Sequence, residues 1–448
     1  MADLEQPAGH PLTDARRRRG WSQETLAALM RARGLGTTRK TVTRWERGVT
    51  PDAAAQAVMR DLFEVSADVH TRVSWPHWLP TGALAGATEP WDKDGTVRAL
   101  DHVAEGALVD RREFIVLAGA EILLPVYQWR ANPGPWIAYQ EDGRQVSAAL
   151  VGEIEQLIAT RRRMDDEHGG GALLAALNAD LRFITDLLKN GSYRNETGRR
   201  LYAAAAEAAR LAGWAAAESG QYAAAQSYYL AALRATSAVG DRALAVNVIG
   251  FMGTLSYSTG RLDDATKLMD MAAAESARTP EAVQAMTWAR VGRAYAKVAD
   301  QGTARAALTR ASGLLNRAVA GDSPPWAYWV DETRITAQLG RALFDMGDYG
   351  GAERELVDAV ASCGDRYPRD RATWLGRLAT AQLRRGRMDE GCATARRAVD
   401  LLADQVDTER GSGLLRTFGH ELAAHGPSAV GREYAEYVER RLVGTSAL

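Results

Sequence analysis

The feature that most constrains the fold of this 448-residue chain is an internal repeat of about forty residues in its second half. Five and twelve residues after each anchor of the repeat the side chain is small in almost every copy, and nine residues after, it is bulky in the first four copies. Small residues at two fixed positions allow two antiparallel helices to approach closely, so the pattern predicts a stack of helical hairpins. The anchors stand at intervals of 40, 39, 48, 39 and 40: Gly220, Gly260, Ala299, Gly347, Gly386 and Gly426.

The rest of the second half favours an all-α fold. From about residue 145 onward the chain is rich in alanine and punctuated by glycine, with almost no alternation of β-branched residues. The long interval between the third and fourth anchors holds 322–326 (Asp-Ser-Pro-Pro-Trp), which predicts a loop insertion. Residues 145–215 are expected to add one or two helical pairs, which gives a repeat domain over 145–442.

Two short helices are predicted near the N-terminus. Ser22 is placed to cap the first, and Thr38 caps a second that Gly48 would end. On the second helix Val42 and Trp45 are three residues apart and can face a core together. Its remaining side chains are then free to face a polyanion: Arg39, Lys40, Thr43, Arg44 and Arg47.

The distribution of charge agrees with a polyanion at this end of the chain. Residues 11–60 contain eleven Arg and Lys against four acids, a local charge of +7, whereas residues 61–448 carry −6. A basic module attached to an acidic remainder is typical of a protein that meets nucleic acid at one end only.

The motif Ser-Gln-Glu-x-Leu-Ala from residue 22, with Thr-Val-x-Arg-Trp-Glu-Arg-Gly from residue 41, resembles the Xre/Cro, lambda-repressor-like helix-turn-helix family over residues 11–66. The resemblance implies that the helix at 38–47 reads the major groove while the helix at 22–33 crosses the backbone. It also implies that Glu46 pairs with an arginine of the first helix. The turn at 31–37 is about five residues longer than the family pattern. The DNA-binding residues implied are Gln23, Thr38, Arg39, Lys40, Thr43, Arg44 and Arg47.

The Gly-x-Tyr anchors with their small and large positions resemble the tetratricopeptide repeat over residues 200–440, although the period exceeds the usual length of about 34. Together with fifty arginines against five lysines, the two modules resemble actinobacterial Xre-type regulators. By resemblance, inward-facing positions lie thirteen, six and three residues before an anchor. An asparagine and several arginines there can clamp a peptide backbone and carboxylate, or be ordinary packing residues. The candidates for ligand binding are Arg210, Trp214, Asn247, Thr254, Tyr257, Arg293, Arg334, Arg341 and Phe344.

The segments between the two modules are predicted to be connectors. The run 75–86 is rich in Pro, Trp and Gly, so we expect a helix-turn-helix domain at 10–70, a linker at 71–109 and a separately mobile basic domain. A connector helix from about 110 to 128 is expected within the segment 110–144.

Enzymatic motifs fail on their spacing. The run His168-Gly169-Gly170-Gly171 has no Gly-x-Ser-x-Gly turn to accompany it, and His420 and His425 are five apart, which turns them away from a shared zinc site. No lysine follows a phosphate-loop pattern. We therefore expect no enzyme activity, cofactor or metal. Two cysteines and no apolar run of about 20 residues predict a cytoplasmic protein with no membrane partner.

The leading hypothesis is a sequence-specific transcriptional regulator that binds double-stranded DNA. Its repeat domain would sense a peptide, a small ligand or a protein partner and control the geometry of a homodimer held by helices from residue 110 onward. The alternative is a tetratricopeptide adaptor in which the helix-turn-helix plays a minor role.

Overall fold

The described part of the chain is mostly helical in the computed structural model, which confirms the all-α class. A single pair of two-residue parallel strands, β1 (Arg144–Gln145) and β2 (Gly191–Ser192), interrupts the helices among the described residues. None of the helices in this part of the chain is both long and apolar enough to cross a bilayer. The structure describes residues 10–63, 75–76, 79, 89–105, 117, 119–132, 134–135, 138–170, 173–319, 321–365, 367–406 and 408–443.

Four short helices form the N-terminal unit: α1 (Pro11–Arg18), α2 (Gln23–Arg31), α3 (Arg39–Trp45) and α4 (Ala53–Leu62). The side chains of Ser22, Thr38 and Asp52 cap α2, α3 and α4 by accepting a backbone N–H three residues on. Such caps satisfy donors that a helix leaves open at its N-terminus. Leu26 of α2 and Val42 of α3 lie fully buried in the small core that holds the four helices together.

The region predicted as a linker at 71–109 is partly structured. Its last part forms α5 (Lys93–Ala104), which packs against the repeat helices. The Arg234 guanidinium donates to the carbonyl oxygens of Glu89 at 2.7 Å and Pro90 at 2.8 Å, which ties the entry of α5 to the repeats. These contacts cross some 145 positions of sequence, which no local pattern displays.

The predicted connector helix exists, but it begins later than residue 110. It is α6 (Ala120–Ala131), while residues 110–116 lie outside the described residues. Leu124 and Tyr127 of α6 pack against the core of α1–α4. The basic unit, expected to be separately mobile, thus rests on the connector.

The predicted hairpins are confirmed as consecutive helix pairs. Two helices, α7 (Ala148–His168) and α8 (Leu174–Asn190), precede them, and a 3-10 turn at Pro325–Ala327 lies at the predicted loop insertion. All six anchors lie in the hairpin turns with φ between 60° and 92°, the left-handed region that glycine favours. The pairs are α9 (Asn195–Glu218) with α10 (Tyr222–Val239), α11 (Arg242–Ser258) with α12 (Leu262–Ser276), α13 (Glu281–Lys297) with α14 (Gln301–Leu315), α15 (Glu332–Asp345) with α16 (Tyr349–Ser362), α17 (Pro368–Arg384) with α18 (Met388–Asp404), and α19 (Glu409–Ala424) with α20 (Ala429–Val438).

A glycine in the first helix of each of the first four hairpins receives the bulky residue of the second helix. This glycine stands seven residues before the anchor, and a Cβ on it would lie 2.6–2.9 Å from that bulky side chain. Because real side chains do not approach so closely, the hairpin depends on a missing Cβ. The contacting pairs are Gly213 with Tyr229, Gly253 with Met269, Gly292 with Leu308, and Gly340 with Leu356.

We predict that Gly292→Ala destabilises the repeats. The new methyl group would lie 2.6 Å from Leu308 Cγ and 3.1 Å from the carbonyl oxygen of Ala304, so the free energy of unfolding should fall by about 1–3 kcal/mol. Urea unfolding followed by circular dichroism measures this. Gly419 holds the same repeat position in α19 with nothing within 4 Å, so Gly419→Ala is the matched control and should be neutral or stabilising by up to about 1 kcal/mol. Equal effects of the two changes would contradict the close-contact interpretation.

Candidate functional site

The first candidate surface is the exposed side of α3. Arg39, Lys40, Arg44 and Arg47 are exposed there, and Thr38, which caps the helix, is exposed as well. Val42 and Trp45 point the other way into the core. The helix therefore presents its basic side chains to solvent, as its spacing predicts.

A polar network holds α3 at a set angle to α1 and α2. The Glu46 carboxylate accepts a hydrogen bond from Arg16 Nε at 2.7 Å and from Gln23 Nε2 at 2.5 Å. The Gln23 amide oxygen in turn accepts the Thr43 hydroxyl at 3.2 Å. The expected pairing of Glu46 with an arginine of the first helix is confirmed. Gln23 and Thr43 are half-buried and brace α3, and the exposed Arg39 also donates through Nε to the Gln23 amide oxygen at 3.5 Å.

The long turn before α3 is also held in place. Arg31 Nη1 donates to the carbonyl oxygen of Thr37 at 2.9 Å, and Leu35 packs against the core of the N-terminal helices. The extra residues relative to the family pattern are therefore accommodated without detaching α3 from the unit.

The second candidate site is a cavity on the concave side of the repeats. It encloses about 900 Å³, part of which is open to solvent, and it is lined by residues of α7 and of the first helix of every hairpin. The prediction that first helices form the inner face is thus met. Six of the nine candidate residues line the cavity: Arg210, Trp214, Thr254, Tyr257, Arg334 and Arg341.

The other three candidates lie behind the lining. Asn247 is 1% exposed and accepts Arg290 Nη1 at 2.9 Å through its Oδ1. Arg293 is equally buried and forms an ion pair with Asp345 at 3.0 Å. Phe344 lies outside the cavity, beneath the guanidinium groups of two arginines at 5.0 Å. These three side chains contact neighbouring residues of the array and do not line the cavity.

Sequence reasoning missed the position nine residues before the anchor. Phe251 and Arg290 occupy it in the second and third hairpins, and both line the cavity. Positions thirteen, nine, six and three before the anchor form one continuous helical stripe, so the omitted position could have been found from helical spacing alone. Arg369 and Arg410 also line the cavity; they stand seventeen and sixteen residues before their anchors, one turn beyond the stripe, while Arg162 lies on α7.

Several cavity arginines join the last helices of the array to the first. Arg369 of α17 contacts the carboxylates of Asp165 and Asp166 on α7, the latter at 3.3 Å. Arg410 of α19 reaches Glu218 of α9 at 3.3 Å. Because these pairs bridge about 200 positions of sequence, the repeats curve back on themselves and the cavity lies inside the closed array.

Three other arginines of the lining have no close carboxylate among the described residues. Arg210 approaches Glu207 only at 3.8 Å, and Glu207 also contacts Arg162. Arg290 donates to Asn247 and stacks over Phe251 at 4.4 Å. Arg341 meets only the Gln338 amide oxygen, at 3.4 Å. Burial lowers the pKa of all three guanidinium groups, that of Arg290 to about 10.

Positive charge near Tyr257 lowers the pKa of its hydroxyl group. Burial on its own would raise the pKa of Tyr257, but nearby Arg293 and Arg341 favour the phenolate and hold the pKa at about 8. The cavity is therefore electropositive at neutral pH.

Comparisons with known proteins add little to this geometry. No family model matches the sequence, and no curated protein matches it. Among solved structures, the chain is similar to a Podosopora anserina protein described as a kinesin light chain with nearly identical TPR-like repeats. The two are 16% identical, and the match covers 44% of this chain and 92% of that chain with a TM-score of 0.30. The helical-repeat architecture of this chain rests on its own consecutive hairpins.

We predict an early alkaline titration of Tyr257. Absorbance at 295 nm should develop with a midpoint near pH 8, and Tyr257→Phe should remove that component. A tyrosine with a lowered pKa releases its proton in the folded state first, so wild-type stability should rise relative to Tyr257→Phe between about pH 8 and pH 10. Identical absorbance of the two proteins below pH 9 would contradict the electropositive cavity.

We also predict that Arg369→Met strongly destabilises the array. It leaves the buried Asp165 and Asp166 without their cation, and breaking a buried ion pair in this way costs about 3–5 kcal/mol. Thermal and urea unfolding measure the loss. Arg371→Met, on the same helix, removes an exposed pair with Asp365 and should cost about 1 kcal/mol or less. A similar small loss of stability in both variants would show that the contact of Arg369 with α7 does not hold the array closed.

Proposed function

We propose that this chain is a sequence-specific DNA-binding transcriptional regulator whose cavity takes a ligand that sets its DNA affinity. The observation that carries the proposal is α3, a capped helix with Arg39, Lys40, Arg44 and Arg47 exposed. The resemblance of residues 11–66 to Xre/Cro helix-turn-helix domains supports it.

The dimensions of α3 suit a groove of DNA. An α-helix with its side chains is about 10–12 Å across, which fits a major groove about 12 Å wide. Arg39 and Lys40 at its N-terminus would approach base edges, and Arg44 and Arg47 would lie toward the phosphates. Gln23 and Thr43 would act mainly by holding α3 in place, because their side chains are engaged with Glu46 and with each other.

The connector α6 offers a route from the cavity to α3. It packs against the N-terminal core through Leu124 and Tyr127, and it contacts the repeat helices α10 and α12 on its other side. A ligand alters DNA binding only if it favours one arrangement of these elements over another. We further propose a homodimer held by helices from residue 110 onward, since one such module buries too little DNA surface for tight specific binding.

A second candidate function is a protein-interaction adaptor. The repeat array makes up most of the described residues, and curved helical arrays commonly bind peptides or proteins on their inner face. In that case a truncation lacking residues 1–70 would keep full activity in cells, whereas a regulator would lose it.

We predict that Arg39→Ala/Lys40→Ala/Arg44→Ala abolishes specific DNA binding. The DNA is selected from a random library with the full chain, and affinity is measured over a range of salt concentrations. Each phosphate contact removed should lower the slope of log affinity against log salt by roughly 0.9. The charge-matched control is Arg305→Ala/Arg317→Ala/Arg354→Ala, three exposed repeat arginines, which should bind normally. Unchanged binding by the α3 variant would rule out the proposed DNA interface.

A further inference from the structure

The cavity has more cationic groups than carboxylates to balance them. Its lining contains seven arginines and three aspartates. Arg290 and Arg341 have no carboxylate within 4 Å among the described residues, and Arg210 has only Glu207, at 3.8 Å, which Arg162 also contacts. A buried charge that is weakly partnered is unfavourable, so this cluster favours an added anion. The other arginines of the lining each pair with a carboxylate: Arg162, Arg334, Arg369 and Arg410.

The same side chains hold unused hydrogen-bond donors. Arg210 Nε and Arg341 Nε are buried and have no hydrogen-bond partner among the described residues. Arg210 is 7% exposed and Arg290 6%, so these cations are held in place by packing. Guanidinium groups in such fixed positions suit carboxylate or phosphate oxygens.

Aromatic rings line the same space. Arg210 and Arg290 lie over the ring of Phe251, at 5.3 Å and 4.4 Å, and Trp214 packs against that ring at 5.3 Å. Trp329 is half-buried and Tyr328 is 44% exposed, so part of the aromatic lining faces open space. Aromatic and guanidinium planes together stack readily on a flat ligand ring.

The closed array limits the size of the occupant. The contacts of Arg369 and Arg410 with α7 and α9 close the cavity on the side where an open groove would admit an extended chain. The empty space along the lining is about 900 Å³, and this figure includes the part that is open to solvent. A compact ligand fits this geometry better than a long peptide does.

We propose that the cavity binds a small anion that joins a phosphate or carboxylate group to a flat ring, with Arg210, Arg290 and Arg341 holding the anionic group. This inference names the ligand class of the proposed regulator. Its effect on DNA rests on the proposed function, but binding of the anion does not.

Calorimetry on the full chain tests the proposal with four probes. Adenosine 5′-monophosphate combines phosphate with a ring, and indole-3-acetate combines carboxylate with a ring. Adenosine provides a ring alone and inorganic phosphate an anion alone. We expect saturable binding of at least one ring-bearing anion, with adenosine and inorganic phosphate each bound at least tenfold more weakly. The proposal would be overturned if neither ring-bearing anion showed saturable binding, or if adenosine or phosphate alone bound as tightly.

Two variants locate the site. Arg341→Met should weaken the ring-bearing anion at least tenfold, whereas Arg305→Met, an exposed arginine of α14, should leave it unchanged. Arg341→Met should also raise the melting temperature of the empty protein, because it removes an unpaired buried charge; a purely structural arginine would lower it. Arg210→Met provides a second variant with the same expected loss of affinity. Full affinity in both cavity variants would place the anion elsewhere and overturn the proposal.

A final comparison separates this inference from the DNA-binding proposal. The variant Arg39→Ala/Lys40→Ala/Arg44→Ala should bind the anion as wild type does, since α3 lies in the N-terminal unit and contributes nothing to the cavity lining. If wild type binds the anion but no selected DNA, the cavity inference stands and the regulator proposal fails. If it binds DNA but no anion, the reverse holds.

Discussion

The structure depends on how closely two helices approach within each hairpin. At Gly213, Gly253, Gly292 and Gly340 the missing Cβ admits a bulky side chain of the following helix. Close approach fixes the angle between the paired helices, and repetition of that angle gives the array its curvature. The first helices of these four hairpins lie on the concave side. The glycine contacts therefore help to position the cavity residues that those helices carry, among them Arg210, Arg290 and Arg341.

The curvature brings together charged side chains that are far apart in sequence. The arginines among them fall into two groups, according to whether they pair closely with a carboxylate. Arg369 and Arg410 meet carboxylates and hold the last helices against the first, a role in which a buried ion pair fixes geometry more than it adds stability. Arg290 and Arg341 meet no carboxylate among the described residues, Arg210 meets one only at 3.8 Å, and Arg210 and Arg290 lie over the ring of Phe251. The first group is explained by the closed array, while the second group weakens the empty protein. An unfavourable arrangement of this kind is typical of a binding site.

Local patterns predicted the elements well and the long-range contacts poorly. The anchors located the hairpin turns. A left-handed turn favours glycine, and helices in close contact favour small residues, so both features can be recognised in the sequence. Thr254, Tyr257 and Arg341 followed from the inward-facing positions that the resemblance to tetratricopeptide repeats implies relative to those anchors. By contrast, α5 was missed within an apparent linker, and Arg369 was missed because its partners on α7 lie about 200 residues away. Which arginine finds a carboxylate depends on the closure of the whole array, and no window of sequence contains that information.

The contacts of α6 bear on how an occupied cavity could act at a distance. One side of α6 meets the N-terminal core, and the other meets α10 and α12, the outer helices of the first two hairpins. The inner partners of those helices, α9 and α11, carry Arg210, Phe251 and Tyr257 of the cavity. An anion that draws these side chains together would change the angle between α9 and α11, and tight packing at Gly213 and Gly253 would pass that change to α10 and α12. The same glycine contacts that build the array would then couple the cavity to the basic helix.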